Sequence, residues 1–348
     1  MSGNPLPSSS LMLRETAEAP DVVARLLDAN AAACGVLGER LRRKPPAFAV
    51  TCARGSSDSA ATYAKYLIEI CLGPVVASVG PSVSSVYGRR PKMRGALFIA
   101  ISQSGRSPDI LTLAEAARDD DALTVAIVND MTSPLAGLCQ VALPLHAGPE
   151  TSVAATKSYI ASLAAVLQLV ALWSGDPALD RAVRRLPDDL DDALRRSWLP
   201  AVSRVAAVES LYVVGRGPSF GAAQEAALKF KETGGLHAEA LSSAELRHGP
   251  LTLAGPRFPV LLFSQNDAAL SDLAGLGSEL TGRGVPVITA GPVSVPGALT
   301  LPTASGIDPF AQPIALVQSF YPLAEAVARE RGRDPDRPPH LKKVTETR

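Results

Sequence analysis

The stretch ALFIAISQSGRSPDIL, residues 96–111, runs from an apolar segment through a serine-rich turn into a helical pattern with no spacer. Ala96 to Ile101 reads as a strand buried on both faces. The turn gathers Ser102, Ser104 and Ser107 around Gly105. Ser107 is well placed as an N-cap, Pro108 fits the first helical turn, and Asp109 suits that end of a helix. Ile110, Leu111, Ala114 and Ala117 then continue the apolar repeat. A strand that feeds straight into a helix is half of a βαβ unit, and its recurrence decides the fold class.

It recurs on both sides. FAVTCA (48–53), VVASV (75–79), LTVAIV (123–128) and VALPL (141–145) read as further strands, with a helix through SDSAATYAKYLIEICL. In the second half LYVVGRG opens a strand-turn-helix, PVLLFSQ ends as ALFIAISQ does, and PVITA parallels TVAIV. Gly217 lies 162 positions after Gly55, and Gln265 lies 162 after Gln103. One offset for two landmarks indicates duplication. The expectation is an α/β chain of two tandem homologous αβα subdomains, each with a parallel sheet flanked by helices. Residues 1–44 form an N-terminal helical segment, with the helical reading over 12–44. Residues 45–175 form the first subdomain, 176–198 a charged linking helix, 199–330 the second subdomain and 331–348 a tail.

Composition limits the partners. The 34 basic and 34 acidic residues cancel among 348, which gives no electrostatic reason to expect nucleic acid or a membrane surface. Four cysteines stand without CxxC spacing and no signal-peptide pattern opens the chain, so reduced thiols in a cytoplasm are expected. IASLAAVLQLVALW (160–173) falls short of the roughly 20 residues of a membrane span and reads as a buried helix.

In open parallel sheets ligands collect beyond the C-terminal strand ends, where free helix N–H groups attract anions. Ser102, Ser104 and Ser107 can add hydroxyl donors there, and Gly105 permits close approach. Capping alone leaves Ser102, Gln103 and Ser104 unused. No GxxxxGK[ST] is present, which points to a monophosphate. Ser57, in CARGSSDSA (52–60), can reach the same anion, although capping by Ser56, Ser57 or Asp58 explains that turn equally well. GRGPSFG (215–221) lacks dinucleotide spacing. In the repeat, Ser104, Gly105 and Ser107 become Asn266, Asp267 and Ala269, so one sugar-sized site per chain is expected.

Titratable residues are densest from Glu225 to Leu251. Glu225, Lys229 and Glu232 fall at i, i+4 and i+7 on a helix ended by Gly234 and Gly235. Such spacing describes either a solvated face or a site. His237 and Glu239, in the strand-like HAEA, read as structural. No cluster has zinc-ligand spacing, so neither metal nor cofactor is implied. The tail RGRDPDRPPHLKKVTETR has the composition of an exposed, poorly ordered end.

In order, the GSS turn, SQSGRSPD, GPETSVAATK, ALKFKE, HAEA and ELRHGPL resemble the sugar isomerase (SIS) domain pair that forms the isomerase half of glucosamine-6-phosphate synthase. The resemblance implies a sugar phosphate held by Ser57, Ser102, Gln103, Ser104 and Ser107, with Val153 and Ala155 near the sugar. It implies Glu232 as the acid/base between C1 and C2, with Lys229 and His248 as the ring-opening pair. His248 would come from the neighbouring subunit of a homodimer. A tail lysine would form a Schiff base: counting from Pro338 selects Lys343, and counting back from Val344 selects Lys342.

Two departures shape the expected activity. The synthases carry an N-terminal glutamine-hydrolysing domain whose cysteine follows Met1, whereas here Ser2 follows and only about 45 residues precede the first strand. Arg106-Ser107-Pro108 and Ala155 are more similar to stand-alone SIS-type aminosugar-phosphate deaminases. The expected reaction is glucosamine 6-phosphate to fructose 6-phosphate and ammonia. The alternatives are transaminase-type synthesis with ammonia from a separate partner, and a non-catalytic sugar-phosphate sensor.

Overall fold

A computed structural model describes residues 9–343. The chain begins with α1 (Leu11–Ala17), α2 (Ala19–Arg43), β1 (Ala49–Cys52), α3 (Ser56–Cys71), β2 (Val76–Ser78) and α4 (Ser82–Ser85). There follow β3 (Leu97–Ser102), α5 (Pro108–Asp119), β4 (Leu123–Val128), α6 (Pro134–Leu138), β5 (Val141–Pro144), α7 (Lys157–Ser174) and α8 (Pro177–Leu194). The remainder holds α9 (Val202–Ala206), β6 (Ser210–Gly215), α10 (Ser219–Gly234), β7 (His237–Ser242), α11 (Ser243–Arg247) and β8 (Val260–Phe263). It ends with α12 (Leu270–Gly282), β9 (Val287–Ala290), β10 (Leu299–Thr300) and α13 (Gln312–Glu330).

These elements form two compact units. One comprises residues 20–149 and 158–188. The other comprises residues 9–19, 150–157 and 189–343.

In the first unit all strand pairs are parallel and the order is β2-β1-β3-β4-β5. Strand β3 is buried along its whole length, as its unbroken apolar run predicts. Against one face packs α5, whose Ile110, Leu113, Ala114 and Ala117 join Val50, Phe98 and Ala100 in a single cluster. Each large apolar side chain buried there contributes about 1.5–3 kcal/mol. Helix α7 is the one helix among the described residues long and apolar enough to cross a membrane; it is 89% buried in the protein.

The second unit repeats this topology. Its order, β10-β9-β8-β6-β7, read from the other edge is β7-β6-β8-β9-β10, the same winding with every pair parallel. Gly55 and Gly217, the landmarks 162 apart, both have left-handed φ, 56° and 62°, in the turns after β1 and β6. Two tandem homologous αβα subdomains are thus present, as the sequence predicts.

Two expectations need correction. The helical reading over 12–44 divides into α1 and α2, because the Glu18 N–H closes α1 onto Arg14 and Thr16 carbonyls and Pro20 starts afresh. The tail is built into the second unit as far as Lys343, despite its composition. Asp336 accepts from the Leu11 and Met12 amides (2.7 and 2.8 Å) and so caps α1, while Arg331 donates to the carbonyls of Ala206, Val208 and Gly234. These are long-range partners that composition does not reveal.

Candidate functional site

In the first unit β1 and β3 are neighbours whose onward connections run to opposite sides of the sheet. Loops beyond such a pair open a crevice at the strand ends. The loops here are Ala53–Gly55 and Gln103–Ser107; of the predicted anion ligands the second carries Gln103, Ser104 and Ser107, while Ser102 ends β3 and Ser57 lies in the first turn of α3. Ser102 is buried, and its Oγ accepts the Gly105 N–H at 3.0 Å. Ser57, Gln103, Ser104 and Ser107 are half-buried.

Capping turns out not to be what these hydroxyls do. Ser107 occupies the N-cap position of α5 with extended backbone (φ −66°, ψ 119°), but its side chain makes no capping bond. The N-cap of α3 is Gly55, so none of Ser56, Ser57 and Asp58 fills that position. Ser107 thus holds the expected N-cap position without a capping bond, and the capping of α3 by Ser56, Ser57 or Asp58 is corrected.

Gly105 is fixed by two constraints. Its φ of 63° is left-handed, and a Cβ there would meet Ser133 Oγ at 2.3 Å and Val128 Cγ2 at 3.0 Å. Gly105→Ala is expected to lower stability by about 1–3 kcal/mol and to weaken anion binding. Thermal unfolding with and without inorganic phosphate measures both effects.

The equivalent turn of the second unit already holds a carboxylate. Asp267 Oδ1 accepts the Ala269 N–H at 2.8 Å, and its Oδ2 accepts from Gln265 Nε2 at 2.7 Å. The side chain takes amides that an anion would otherwise use, as the repeat comparison predicts.

The second unit carries the titratable set on α10. Glu225 and Lys229 are buried and Glu232 has a side chain 23% exposed, which excludes the solvated-face alternative. The Lys229 ammonium donates to Glu232 and lies 3.5 Å from Glu225, while Tyr321 of α13 donates its hydroxyl to Glu225 at 2.9 Å. Burial acts to lower the Lys229 pKa, but the two carboxylates outweigh it and hold it above its ordinary 10.5. Lys229 is therefore held as a cation. Gly235 ends the helix in the left-handed conformation (φ 54°, ψ 30°) just beyond Glu232.

His248, exposed at the C-cap of α11, points Nδ1 at the Ala244 carbonyl, 2.8 Å away. A carbonyl only accepts, so Nδ1 bears a proton, and Nε2 is the ring nitrogen that this contact leaves for a substrate. His237 opens β7 and meets Ser210 Oγ at 3.1 Å, a structural placement.

Val153 and Ala155 are half-buried in segment 150–157, which is held by contacts with α1 and its C-cap. Glu15 accepts from the Thr151 hydroxyl and the Ser152 amide, and Lys157 pairs with Glu18 at 2.6 Å. The same segment provides Glu150, with a side chain 0% exposed, which accepts from the Thr156 amide at 3.0 Å and from Lys343 Nζ at 2.8 Å. Lys342 is exposed and Lys343 half-buried. Neither Glu150 nor Tyr321 was singled out by sequence reasoning, since their contacts with Lys343 and Glu225 join residues 193 and 96 positions apart.

Among the described residues no group of three or more His, Cys, Asp or Glu side chains is arranged to hold a metal ion. Burial raises the Cys34 and Cys52 thiols to about 12 and Cys139 to about 11, so none is a ready nucleophile.

Comparison with known proteins places this architecture. The SIS domain model matches residues 49–172 and 205–290. A glutamine–fructose-6-phosphate aminotransferase (isomerizing) of Methanothermobacter thermautotrophicus is 33% identical over 345 residues, 95% of this chain and 56% of that relative. The chain thus spans about half the length of the curated relatives it matches. The crystal structure of a protein from Silicibacter pomeroyi DSS-3, provisionally called a phosphosugar isomerase, superposes with TM-score 0.90 at 44% identity over 94% of this chain and 100% of that one. The C-terminal domain of glucosamine-fructose-6-phosphate aminotransferase from Francisella tularensis superposes with TM-score 0.83 at 25% identity, covering 95% of this chain and 98% of that one.

Proposed function

This chain belongs to the SIS domain family, and on that premise we propose that it is an aminosugar-phosphate isomerase and deaminase. Its reaction is glucosamine 6-phosphate plus water to fructose 6-phosphate and ammonia. The observation that carries the reading is the partly exposed Glu232 carboxylate held against the buried, protonated Lys229.

The phosphate is bound by Ser57, Ser102, Gln103, Ser104 and Ser107. His248 Nε2 takes the proton of the anomeric hydroxyl while Lys229 donates one toward the ring oxygen, and the ring opens. Glu232 then removes the C2 proton and returns it to C1, which converts the 2-amino aldehyde into a 2-imine. The Lys343 amine attacks C2 and expels ammonia, and water hydrolyses the resulting ketimine to the ketose and free amine. Glu150 is the acceptor beside Lys343 for the proton that the amine must lose before it attacks. Val153 and Ala155 border the sugar, and a homodimer lends His248 from one subunit to the other.

Support for deamination comes from Arg106-Ser107-Pro108 and Ala155, which depart from the synthase pattern. The aminotransferase names of the curated relatives favour a second reading, synthesis with ammonia supplied by a partner. Glutamine-dependent synthesis restored by a separate glutaminase would establish it.

The test incubates the protein with a panel of hexosamine 6-phosphates and measures ammonia and ketose together. Equal amounts of both are expected, and ammonia no higher than in a Glu232→Gln control would end the reading. Borohydride added during turnover is expected to trap the sugar on Lys343. Lys343→Ala removes the adduct and Lys342→Ala keeps it; the reverse pattern transfers the covalent role to Lys342.

A further inference from the structure

The anion loops of the first unit hold a charged pair that the proposed reaction leaves unused. Arg54, in the loop after β1, donates from Nε at 3.0 Å and from Nη2 at 2.7 Å to Asp109 Oδ2. Asp109 is the second residue of α5 and its side chain is 0% exposed, whereas that of Arg54 is 46% exposed. Arg106, in the loop after β3, is tied to Asp130, a half-buried carboxylate that also accepts from the Thr132 amide and hydroxyl.

The head of α5 is a poor anion site without Arg54. Asp109 puts a negative charge there and takes the Ile110 amide (2.8 Å), while the Gly105 amide is taken by Ser102. A phosphate arriving at these loops would face a buried carboxylate. The guanidinium cancels that charge, and only two of its five N–H donors are used in doing so. The remaining donors form a planar array suited to two oxygens of a phosphate, on a side chain that reaches solvent.

Resting on the sugar-phosphate reading above, we propose that Arg54, oriented by Asp109, is a substrate-binding residue that selects a dianionic phosphoester over a monoanionic one. Ser57, Ser102, Ser104 and Ser107 supply uncharged donors and bind either anion. Arg54 adds charge-assisted donors, whose hydrogen bonds strengthen with the charge on the bound anion.

Glucose 6-phosphate and glucose 6-sulfate differ in that charge and serve as probes in calorimetric titrations of the full chain, with no turnover required. The wild type is expected to favour the phosphate by about tenfold or more, in line with the strength of charge-assisted hydrogen bonds. R54A/D109N removes both partners and so avoids stranding a buried carboxylate. It is expected to keep the wild-type circular dichroism spectrum and to bind the two probes within about threefold of each other. R54K keeps the charge balance with Asp109 and loses the fork, and its preference is expected between the two. A folded R54A/D109N or R54K protein with the full wild-type preference overturns the role of Arg54. Wild-type protein that binds neither probe overturns instead the sugar-phosphate reading beneath it.

Discussion

Glu232→Gln lowers kcat for ammonia release from glucosamine 6-phosphate by about 10²–10⁴-fold, the range expected for loss of a positioned general acid/base. The amide keeps the shape of the carboxylate and still accepts a hydrogen bond from Lys229, so the helix end at Gly235 and the burial of Lys229 are retained. What it loses is the capacity to carry a proton from C2 to C1. KM stays within a few-fold of wild type, because the phosphate is bound by other residues. Steady-state kinetics with thermal unfolding checks this. A Glu232→Gln enzyme with near-wild-type kcat and unchanged Tm would remove Glu232 from the chemistry.

Lys229→Met has its largest effect on stability. The ammonium neutralises Glu225, which is 0% exposed, as well as Glu232, and Met leaves the first of these buried without its cation. Breaking a buried ion pair from one side costs about 3–5 kcal/mol, so Tm falls by roughly 6 °C or more. E225Q/K229M, which removes both charges, recovers most of the loss.

The pH dependence follows from the direction of the shift. The folded pKa of Lys229 lies above the ordinary 10.5, so its contribution is fully present below that value and is lost only as pH rises through the higher folded value. Chemical denaturation should therefore show a constant wild-type to Lys229→Met difference from neutral pH to about 10, shrinking above it. A difference that shrinks already near neutrality contradicts a raised pKa.

The fold was legible wherever local pattern and tertiary role agree. Buried parallel strands need unbroken apolar runs, and β3, β4, β6 and β8 each carry one. The edge strand β10 pairs through only Leu299 and Thr300, too short a run to announce itself. The break between α1 and α2 was available in Pro20, but the apolar repeat continues across it and masks the stop.

For the site, the turn residues and the α10 face could be read from the sequence, because glycines and i, i+4, i+7 spacing are local signals. Burial of that face could not, since it depends on Tyr321 and α13 nearly 100 residues away. The pairs Arg54–Asp109 and Glu150–Lys343 are likewise products of folding, 55 and 193 positions apart. Asp109 looked like an ordinary helix-start carboxylate until its partner was seen.

The most direct measurement is deuterium exchange at C2 of glucosamine 6-phosphate incubated with the protein in D2O, followed by proton NMR before appreciable ammonia has formed. The wild type is expected to wash out the C2 proton, and Glu232→Gln to slow that loss by about 10²-fold or more. A C2 signal that persists with the wild type, or decays equally fast in the variant, contradicts a proton carried by Glu232.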